Sequence, residues 1–172
     1  MRLNILEIKP TIKCHNFICY LELLDKNYRP VGLTKFDEKY LPKILDYKWH
    51  LTYYGYVETK VKGVNFKLHN LVLPKKEGFV VDHIDHNTCN NLESNLRYAT
   101  HRQNMRNRQN VKGIYKDRKN WRISLSIDGK SVHSKRYKLK EEAIKVRSNL
   151  VKKHFGEFAC IDKGGGRCIA LK

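Results

Sequence analysis

The residues best suited to chemistry lie between positions 80 and 104. Asp82 and His83 stand side by side after two valines, and Asn104 follows further along the chain. The carboxylate of Asp82 and the amide oxygen of Asn104 are hard ligands that suit Mg²⁺ or Mn²⁺. The His83 imidazole titrates near neutrality and can take a proton from water. A cation beside a base suits phosphodiester hydrolysis, because charge develops on the phosphate while water loses a proton.

Local elements must bring these side chains together. Val80-Val81 predicts a short strand that delivers Asp82 and His83 at its end, and residues 96–98 predict a second strand that pairs back across a polar loop. Thr100 followed by Gln103 is a capping box, which predicts a helix with Asn104 in its first turns. The order strand, loop, strand, helix therefore predicts one site.

Residues 80–108 resemble the HNH nuclease motif, and in particular its phage and intron homing-endonuclease branch. The similarity is carried by Val-Val-Asp-His-x-Asp-x-Asn, then Asn-Asn, then Asn-Leu-Arg-Tyr-x-Thr, and a final Asn. The resemblance implies the ββα-metal fold, with Asp82 and Asn104 as ligands of one divalent cation (Mg²⁺ or Mn²⁺) and His83 as the general base. Asn95 would hold the loop through bonds to its backbone. Asn104 stands where other HNH proteins have His.

Other residues near this motif have less specific explanations. His86 stands where the homing branch usually has Gly, so the loop is expected to be strained or to bring a second imidazole near the site. His69, expected on a strand, is interpreted as a packing or phosphate-contacting residue rather than a catalytic one. Asn90 and Asn91 can be turn residues that bond to the local backbone.

Downstream of the motif the pattern changes. Alternating apolar and polar residues over 121–127, with segments at 114–116 and 131–137, predict three strands, and Asp128-Gly129 predicts a hairpin turn. Apolar residues at helical spacing predict a helix over 140–155 that ends at Gly156. The expected unit is a three-stranded antiparallel sheet backed by one helix.

Residues 111–160 resemble the plant ethylene-response-factor (Apetala-type) DNA-binding domain. The similarity is carried by Gly-Ile-Tyr at 113–115, Trp-Arg at 121–122, Glu-Glu-Ala at 141–143 and Phe-Gly-Glu-Phe-Ala at 155–159. It implies that the sheet lies in the major groove, with Arg122 and Arg136 reading bases, since arginine bonds guanine bidentately. Trp121 is either a contact or a core residue. The expected DNA contacts of this module are Lys116, Arg118, Trp121, Arg122, Ser124, Lys135 and Arg136, and Arg102, Arg106, Arg108 and Lys112 are expected to follow the phosphate backbone.

The charge of the chain favours a nucleic-acid partner. The 172 residues include 35 Lys+Arg and 17 Asp+Glu, a net charge of +18. Residues 1–91 carry 14 basic and 10 acidic groups, whereas residues 92–172 carry 21 and 7. The backbone-binding surface is therefore expected mostly in the second half. A merely solvated basic surface and a membrane-surface protein are the alternatives.

Composition excludes several other classes. A hydrophobic content of 41% allows a packed core, so the chain is not a disordered polycation. The absence of a long apolar run or a leader-like N-terminus predicts a soluble, cytoplasmic protein without a membrane partner. Five cysteines without a Cys-x-x-Cys pair predict free thiols. A metal site formed by Cys14, Cys19, Cys160 and Cys168 is the less favoured alternative.

The upstream region is interpreted as short strands and turns. A strand is expected at 17–21, a turn at 27–32, a short helix over 36–45, and strands at 49–57 and 61–73. The predicted organisation is a β-rich region over 1–62, the HNH domain over 63–110, the ethylene-response-factor-type domain over 111–160 and a flexible tail over 161–172.

The expected fold is α+β: a ββα-metal (His-Me finger) nuclease unit with a β-rich N-terminal part, followed by a small three-stranded antiparallel sheet and one helix. The expected function is site-specific, metal-dependent hydrolysis of double-stranded DNA by a monomer or homodimer, leaving 5′-phosphate and 3′-hydroxyl ends, with no small-molecule substrate. A non-catalytic DNA-binding regulator with a degenerate HNH scaffold is the main alternative. An RNA-directed nuclease or RNA-binding protein is a weaker one.

Overall fold

The computed structural model describes residues 10–25, 27, 29–107, 113–127 and 129–159. Its contacts divide into two compact units, one running up to Thr100 and the other beginning at His101. Each unit combines small antiparallel sheets with short helices. The predicted α+β class is therefore confirmed. No helix within the described ranges is long and apolar enough to cross a membrane.

The first unit opens with a three-stranded antiparallel meander of β1 (Ile12–His15), β2 (Ile18–Leu24) and β3 (Pro30–Asp37). Asn16 and Phe17 form the two-residue turn between β1 and β2, and both have left-handed backbones (φ 49° and 62°). Such primed turns match the twist of the strands that they join. Alternate residues of β2 and β3 are buried, so one face of the sheet is covered.

Two of the cysteines in this sheet form a disulfide. Cys14 and Cys19 are direct cross-strand partners on β1 and β2, and their Cα atoms are 4.0 Å apart. The prediction of free thiols was wrong for this pair, because strand register rather than sequence spacing brings the two sulfurs together. It was also wrong for Cys89, which is disulfide-bonded too. The disulfide between Cys14 and Cys19 also removes both residues from the alternative cysteine metal site. Cys160 and Cys168 lie outside the described residues.

The short helix α1 (Leu41–Leu45) begins later than predicted. β3 continues to Asp37 because Phe36 is fully buried on that strand, and Pro42 lies in the first turn of the helix, where its missing N–H costs nothing. Ile44 buries the inner face of α1 and its carbonyl accepts a hydrogen bond from the Trp49 indole at 2.9 Å.

A second sheet follows, formed by β4 (His50–Leu51), β5 (Val57–Val61) and β6 (Val64–Lys67), and it leads directly into α2 (Leu68–Val72). The strand predicted over 49–57 was wrong beyond Leu51, because residues 52–56 form a turn in which Gly55 has φ +82°. The strand predicted over 61–73, with Gly63 at a turn, was correct up to Lys67 and wrong beyond it. The chain becomes helical after Lys67, which lets α2 bury residues one turn apart.

The HNH motif begins on a two-stranded antiparallel hairpin, as predicted. β7 (Val80–His83) pairs with β8 (Leu96–Ala99), so that Asp82 lies opposite Arg97 and His83 opposite Leu96. The intervening loop ends in a 3₁₀ turn at Glu93–Asn95. One hydrophobic core joins this hairpin to the N-terminal sheet and the short helices. Its buried side chains are Cys19, Leu21, Leu23, Phe36, Ile44, Trp49, Val57, Leu68, Val72, Cys89 and Leu96.

The second unit contains α3 (His101–Arg106), a sheet in the order β11-β10-β9, and a long helix. Its strands are β9 (Ile114–Asp117), β10 (Asn120–Ile127) and β11 (Lys130–His133), and the helix is α4 (Lys140–Phe155). This is the predicted sheet with one helix. The predicted third strand was wrong beyond His133. There the Ser134 N–H still donates to the Ile123 carbonyl at 2.9 Å, and Tyr137 pairs with Trp121 through two backbone hydrogen bonds of 2.7 and 2.8 Å.

α4 packs against β10 and forms the second core. Ile123, Leu125, Tyr137, Ala143 and Val151 are buried there. The helix has no side-chain cap at its N-terminus, where Leu139 occupies the capping position, but Glu141 and Glu142 suit the positive end of the helix dipole. It ends at Gly156, which has φ +55° and follows the helix as predicted.

Candidate active site

His83 lies at the end of β7 in a buried cluster of rings. Only 5% of the residue is exposed, its ring centroid is 5.2 Å from that of His69, and Tyr56 packs nearby at 6.4 Å. Burial lowers the pKa of His83, because it penalises the charged imidazolium, while the hydrogen bond that the ring donates to Asn91 opposes the shift. The imidazole is therefore neutral at pH 7 and able to accept a proton.

The partners of Asn91 determine which nitrogen of His83 carries the proton. His83 Nε2 is 3.3 Å from Asn91 Oδ1, and Asn91 Nδ2 is 3.3 Å from the Thr88 carbonyl oxygen. Because a carbonyl oxygen can only accept, the NH₂ group of Asn91 must face Thr88 and its Oδ1 must face the histidine. Nε2 then donates to Asn91, and the basic lone pair lies on Nδ1.

Asp82 precedes His83 and is held by an arginine across the hairpin. The Arg97 Nε–H donates to Asp82 Oδ2 at 2.9 Å, and Nη2 lies 2.9 Å from the same oxygen. Both side chains are almost fully enclosed, at 7% exposure for Asp82 and 11% for Arg97. An enclosed ion pair of this kind fixes the direction of the carboxylate.

Asp85 is the other carboxylate of this region, and the loop uses both of its oxygens. Oδ1 accepts bonds from the Asn87 backbone N–H at 2.8 Å and from Asn95 Nδ2 at 2.9 Å, while Oδ2 accepts from Asn90 Nδ2. Asn95 also donates to the Asn90 carbonyl at 2.8 Å and accepts from the Asp85 backbone N–H at 3.1 Å. Asn95 thus connects both ends of the loop, and Asp85 is a structural residue.

His86 lies in the same loop with a left-handed backbone, φ +65°. This conformation is favourable for Gly and costs about 1 kcal/mol for other residues, which accounts for the strain expected at this position. Partial burial lowers the pKa of His86, while the carboxylates of Asp82 and Asp85 oppose the shift.

His69 lies on α2 rather than on the expected strand, and it is 7% exposed. Burial, followed by the proximity of His83 and Lys67, lowers the pKa of His69 to about 3. The ring of Tyr56 packs edge-on against it at 5.7 Å, and the Lys67 ammonium lies 4.1 Å from the centre of the Tyr56 ring. His69 is therefore a neutral ring that packs against His83.

Three of these residues were not identified as functional from the sequence. No feature of the sequence marked Tyr56 or Arg97 as functional, although Arg97 is part of the Asn-Leu-Arg sequence of the motif. Asn91 was interpreted as a possible turn residue. Its place in an Asn-Asn pair beside a polar loop was the sequence feature that could have marked it. Residue spacing does not reveal that its hydrogen-bond partner is His83.

The donors for a divalent cation are few. No group of three or more His, Cys, Asp and Glu side chains that could hold a metal ion is found among the described residues. These are residues 10–107 without positions 26 and 28, residues 113–127 and residues 129–159. A single carboxylate such as Asp82 suits a cation of the Mg²⁺ type, which retains waters and takes oxygens from a substrate phosphate. Asn104, the second expected ligand, lies on α3 in the other unit.

The second unit presents a polar sheet face. Because side chains alternate along β10, Ile123 and Leu125 point to α4, whereas Arg122, Ser124 and Ser126 point to the opposite face. Arg136 Nε donates to Asp117 Oδ2 at 2.9 Å, and Arg122 Nη1 lies 3.7 Å from that oxygen. The hydrogen bond from Arg136 lowers the pKa of the Asp117 carboxyl. The two predicted base readers thus share one carboxylate.

The other predicted DNA contacts lie in different surroundings. Trp121 is partly buried against the second core, and Lys116 is its cross-strand partner. Arg118 occupies the β9–β10 turn with φ +57°, and Lys135 lies 5.8 Å from the Tyr137 ring. The remaining predicted contacts belong to the segment around α3. Arg102 lies on this helix, and the guanidinium carbon of Arg106 lies 4.6 Å from the centre of the Phe155 ring. Arg108 and Lys112 lie outside the described residues.

Comparison with known proteins identifies the family. A family model described as HNH endonuclease matches residues 68–106. The chain is 32% identical over 156 residues to an uncharacterized HNH endonuclease of Acanthamoeba polyphaga mimivirus, and the match covers 85% of this chain and 82% of the relative. A solved structure titled "DNA binding and cleavage by the HNH homing endonuclease I-HmuI" is 22% identical, with 78% of this chain and 90% of that chain covered at a TM-score of 0.33. The prediction of a nuclease is confirmed, and the chain belongs to the HNH endonuclease family.

Proposed function

We propose that this chain is a metal-dependent DNA endonuclease of the homing type in which His83 activates the attacking water. The observation that carries this proposal is the directed hydrogen bond between His83 Nε2 and Asn91 Oδ1, which leaves Nδ1 as the basic nitrogen of a buried imidazole. A base with a lowered pKa stays unprotonated at neutral pH and is ready to take a proton.

The reaction is hydrolysis at phosphorus. The water proton moves to His83 Nδ1, the water oxygen bonds to phosphorus, and the bond from phosphorus to the 3′ oxygen breaks. That oxygen takes a proton from solvent, which gives 5′-phosphate and 3′-hydroxyl ends. Asn91 Oδ1 accepts a hydrogen bond from the newly charged imidazolium and so stabilises it.

Asp82 is the proposed carboxylate ligand of one Mg²⁺ or Mn²⁺ ion, and Asn104 is the proposed second ligand, from the family resemblance. The bound cation supplies neutralisation of the charge that develops on the phosphate and on the leaving oxygen. Arg97 keeps the Asp82 carboxylate oriented through the ion pair at 2.9 Å. Asn95 keeps the loop closed, which holds the neighbouring His83 in place.

The second unit is proposed to bind double-stranded DNA in the manner of the ethylene-response-factor domain. The helix packs on one face of the three-stranded sheet and the polar residues of β10 lie on the other, and the major groove admits such a sheet. Arg122 and Arg136 are the proposed base readers. Lys116, Arg118 and Lys135 are proposed to contact phosphates, as are the basic residues 102, 106, 108 and 112 ahead of the sheet.

A plasmid assay tests the catalytic proposal. Supercoiled DNA is incubated with the protein and Mg²⁺ or Mn²⁺, with EDTA as a control, and nicked and linear products are quantified. We expect nicking by a monomer, one strand at a time. Replacement of the base, His83→Ala, should lower the rate by about 100-fold or more. His50→Ala is the matched control, because His50 is an exposed histidine of the same unit.

The same reactions test the chemistry of the product ends and the two alternative functions. DNA ligase should reseal the nicks without prior phosphorylation if they carry 5′-phosphate and 3′-hydroxyl groups. Retarded but uncut DNA in every lane, across varied sequences, would favour a DNA-binding regulator. Preferential competition by duplex RNA would favour an RNA-directed protein.

A further inference from the structure

The strand β3 is joined by a ladder of hydrogen bonds to the loop between β7 and β8, residues 84–95. The Lys35 backbone N–H donates to the Cys89 carbonyl at 3.0 Å, and the Asn91 N–H donates to the Lys35 carbonyl at 2.8 Å. Lys35 and Asn90 form a parallel bridge. Further along, the Glu93 N–H donates to the Asp37 carboxylate at 2.8 Å. The loop is therefore held as an additional short strand against β3.

Thr34 brings a side chain into this junction. It is fully buried, and its hydroxyl donates to the Cys89 carbonyl at 3.0 Å. The hydroxyl oxygen then accepts a bond from Asn91 Nδ2 at 2.9 Å. Because the Cys89 carbonyl can only accept, the direction of both bonds follows. A relay of known direction thus runs from His83 through Asn91 to Thr34.

The relay determines how the Asn91 amide can rotate. The bond to Thr34 at 2.9 Å is the shorter of the two that hold Nδ2, since the bond to the Thr88 carbonyl is 3.3 Å long. A valine at position 34 would keep the shape but offer no acceptor. The Asn91 NH₂ group would then be held away from His83 only by the longer bond to the Thr88 carbonyl, and an amide that flipped would present a donor to Nε2 and shift the proton to Nδ1.

We propose that Thr34 is a positioning residue of the nuclease reaction: its hydroxyl holds the Asn91 amide so that His83 presents Nδ1 to water. The N-terminal sheet therefore contributes to the active site rather than serving only as a neighbouring scaffold. The kinetic part of this inference rests on the proposed role of His83 as the base. The tautomer of His83 is independent of that role and can be measured without metal or DNA.

The test compares three threonine variants of the full chain. Thr34→Val removes the hydroxyl, Thr34→Ser retains it, and Thr59→Val is the matched control, because Thr59 is a buried threonine on β5. The ¹⁵N chemical shifts of the His83 imidazole report the tautomer, with His83→Asn used for assignment. The nicking assay gives kcat and KM.

We expect Thr34→Val to populate the Nδ1-protonated tautomer and to lower kcat by at least about 10-fold, with KM changed less than about 2-fold, because a protonated nitrogen cannot accept from water. Thr34→Ser and Thr59→Val should resemble the wild type in both measurements. A wild-type tautomer in Thr34→Val would overturn the proposal whatever the rate. If Thr34→Val folds poorly, Thr34→Ala repeats the test with a smaller side chain. Full activity of His83→Ala would instead refute the role of His83 and leave the tautomer result standing.

Discussion

Two buried histidines lie in one cluster of rings with Tyr56, and their environments differ. His83 has a hydrogen-bond acceptor at Nε2 and stands next to Asp82, whereas His69 has ring contacts and the nearby positive charge of Lys67. A second charge beside a protonated His83 would oppose proton transfer, because like charges destabilise each other. A neutral His69 is therefore compatible with a base that becomes charged during the reaction.

The low pKa of His69 predicts a specific loss of stability in acid. Above pH 6.5 the ring is neutral in both folded and unfolded chains. Between pH 6.5 and about 3 the unfolded chain binds a proton that the folded chain excludes, so the free energy of unfolding falls as the pH falls. The substitution His69→Gln removes the imidazole that takes up this proton. Between pH 7 and pH 5 the free energy of unfolding should therefore fall by about 2 kcal/mol less in this variant than in the wild type.

Urea unfolding at the two pH values measures this difference. His50→Gln is the control, since His50 is an exposed histidine of the same unit. An equal loss of stability in the wild type and in His69→Gln would show that His69 takes up its proton in the folded state.

At this scale the sequence predicts the motif residues better than their partners. Asp82, His83 and Asn95 are recognised because their spacing is local, and the structure places all three on β7 and its loop. Thr34 is 57 residues from Asn91, and nothing in a threonine on a strand reveals a partner at that distance. The pairing depends on β3 meeting the loop, which only the folded chain shows.

Among the elements, short apolar segments were the ones predicted wrongly. The sequence Leu-His-Asn-Leu-Val continues the strand pattern of residues 64–67, yet it forms α2, because helical spacing buries Leu68, His69 and Val72 together. Segments of five residues do not distinguish the two periodicities. The longer alternation of β10 and the 16-residue α4 were predicted well, since each pattern repeats several times.

The close approach of β9 and β10 predicts a strict requirement for glycine at position 113. Gly113 has φ +106°, and a Cβ there would lie 2.3 Å from the Ser124 carbonyl oxygen. Its own carbonyl accepts from the Ser124 N–H at 2.8 Å, so neither backbone can move away without losing that bond. Gly113→Ala should therefore destabilise the second unit by about 2–4 kcal/mol, the combined cost of strain and overlap.

Gly129→Ala is the matched control for this substitution. Gly129 also has a positive φ, +82°, but a Cβ there would meet nothing within 4 Å, so only backbone strain of about 1 kcal/mol is expected. Each unit holds one of the two tryptophans, and in a Trp49→Phe background the fluorescence of Trp121 reports denaturant unfolding of the second unit. Equal effects of the two alanines would contradict the overlap with Ser124.

Over the whole molecule, positive charge is distributed unevenly between the two halves of the sequence. Residues 1–100 carry 15 basic and 11 acidic groups, a net of +4, whereas residues 101–172 carry 20 and 6, a net of +14. The relay around His83 lies in the first part and the polar sheet face in the second. This distribution is what a nuclease needs if one part performs hydrolysis and the other supplies most of the binding energy to phosphates.

The same asymmetry predicts how the salt dependence of DNA binding responds to substitution. Lys116→Gln/Arg118→Gln should reduce the slope of log K against log salt concentration by about 2, because each phosphate contact contributes about 0.9. The rate at saturating DNA should not change, since neither residue has a role in the proposed hydrolysis. Lys43→Gln/Lys48→Gln removes the same charge from exposed positions of the first unit and should leave the slope almost unaltered. Binding titrations between 50 and 200 mM salt measure the slopes. If both double variants lower the slope equally, net charge rather than the second unit governs binding, and the proposed phosphate contacts at residues 116 and 118 are wrong.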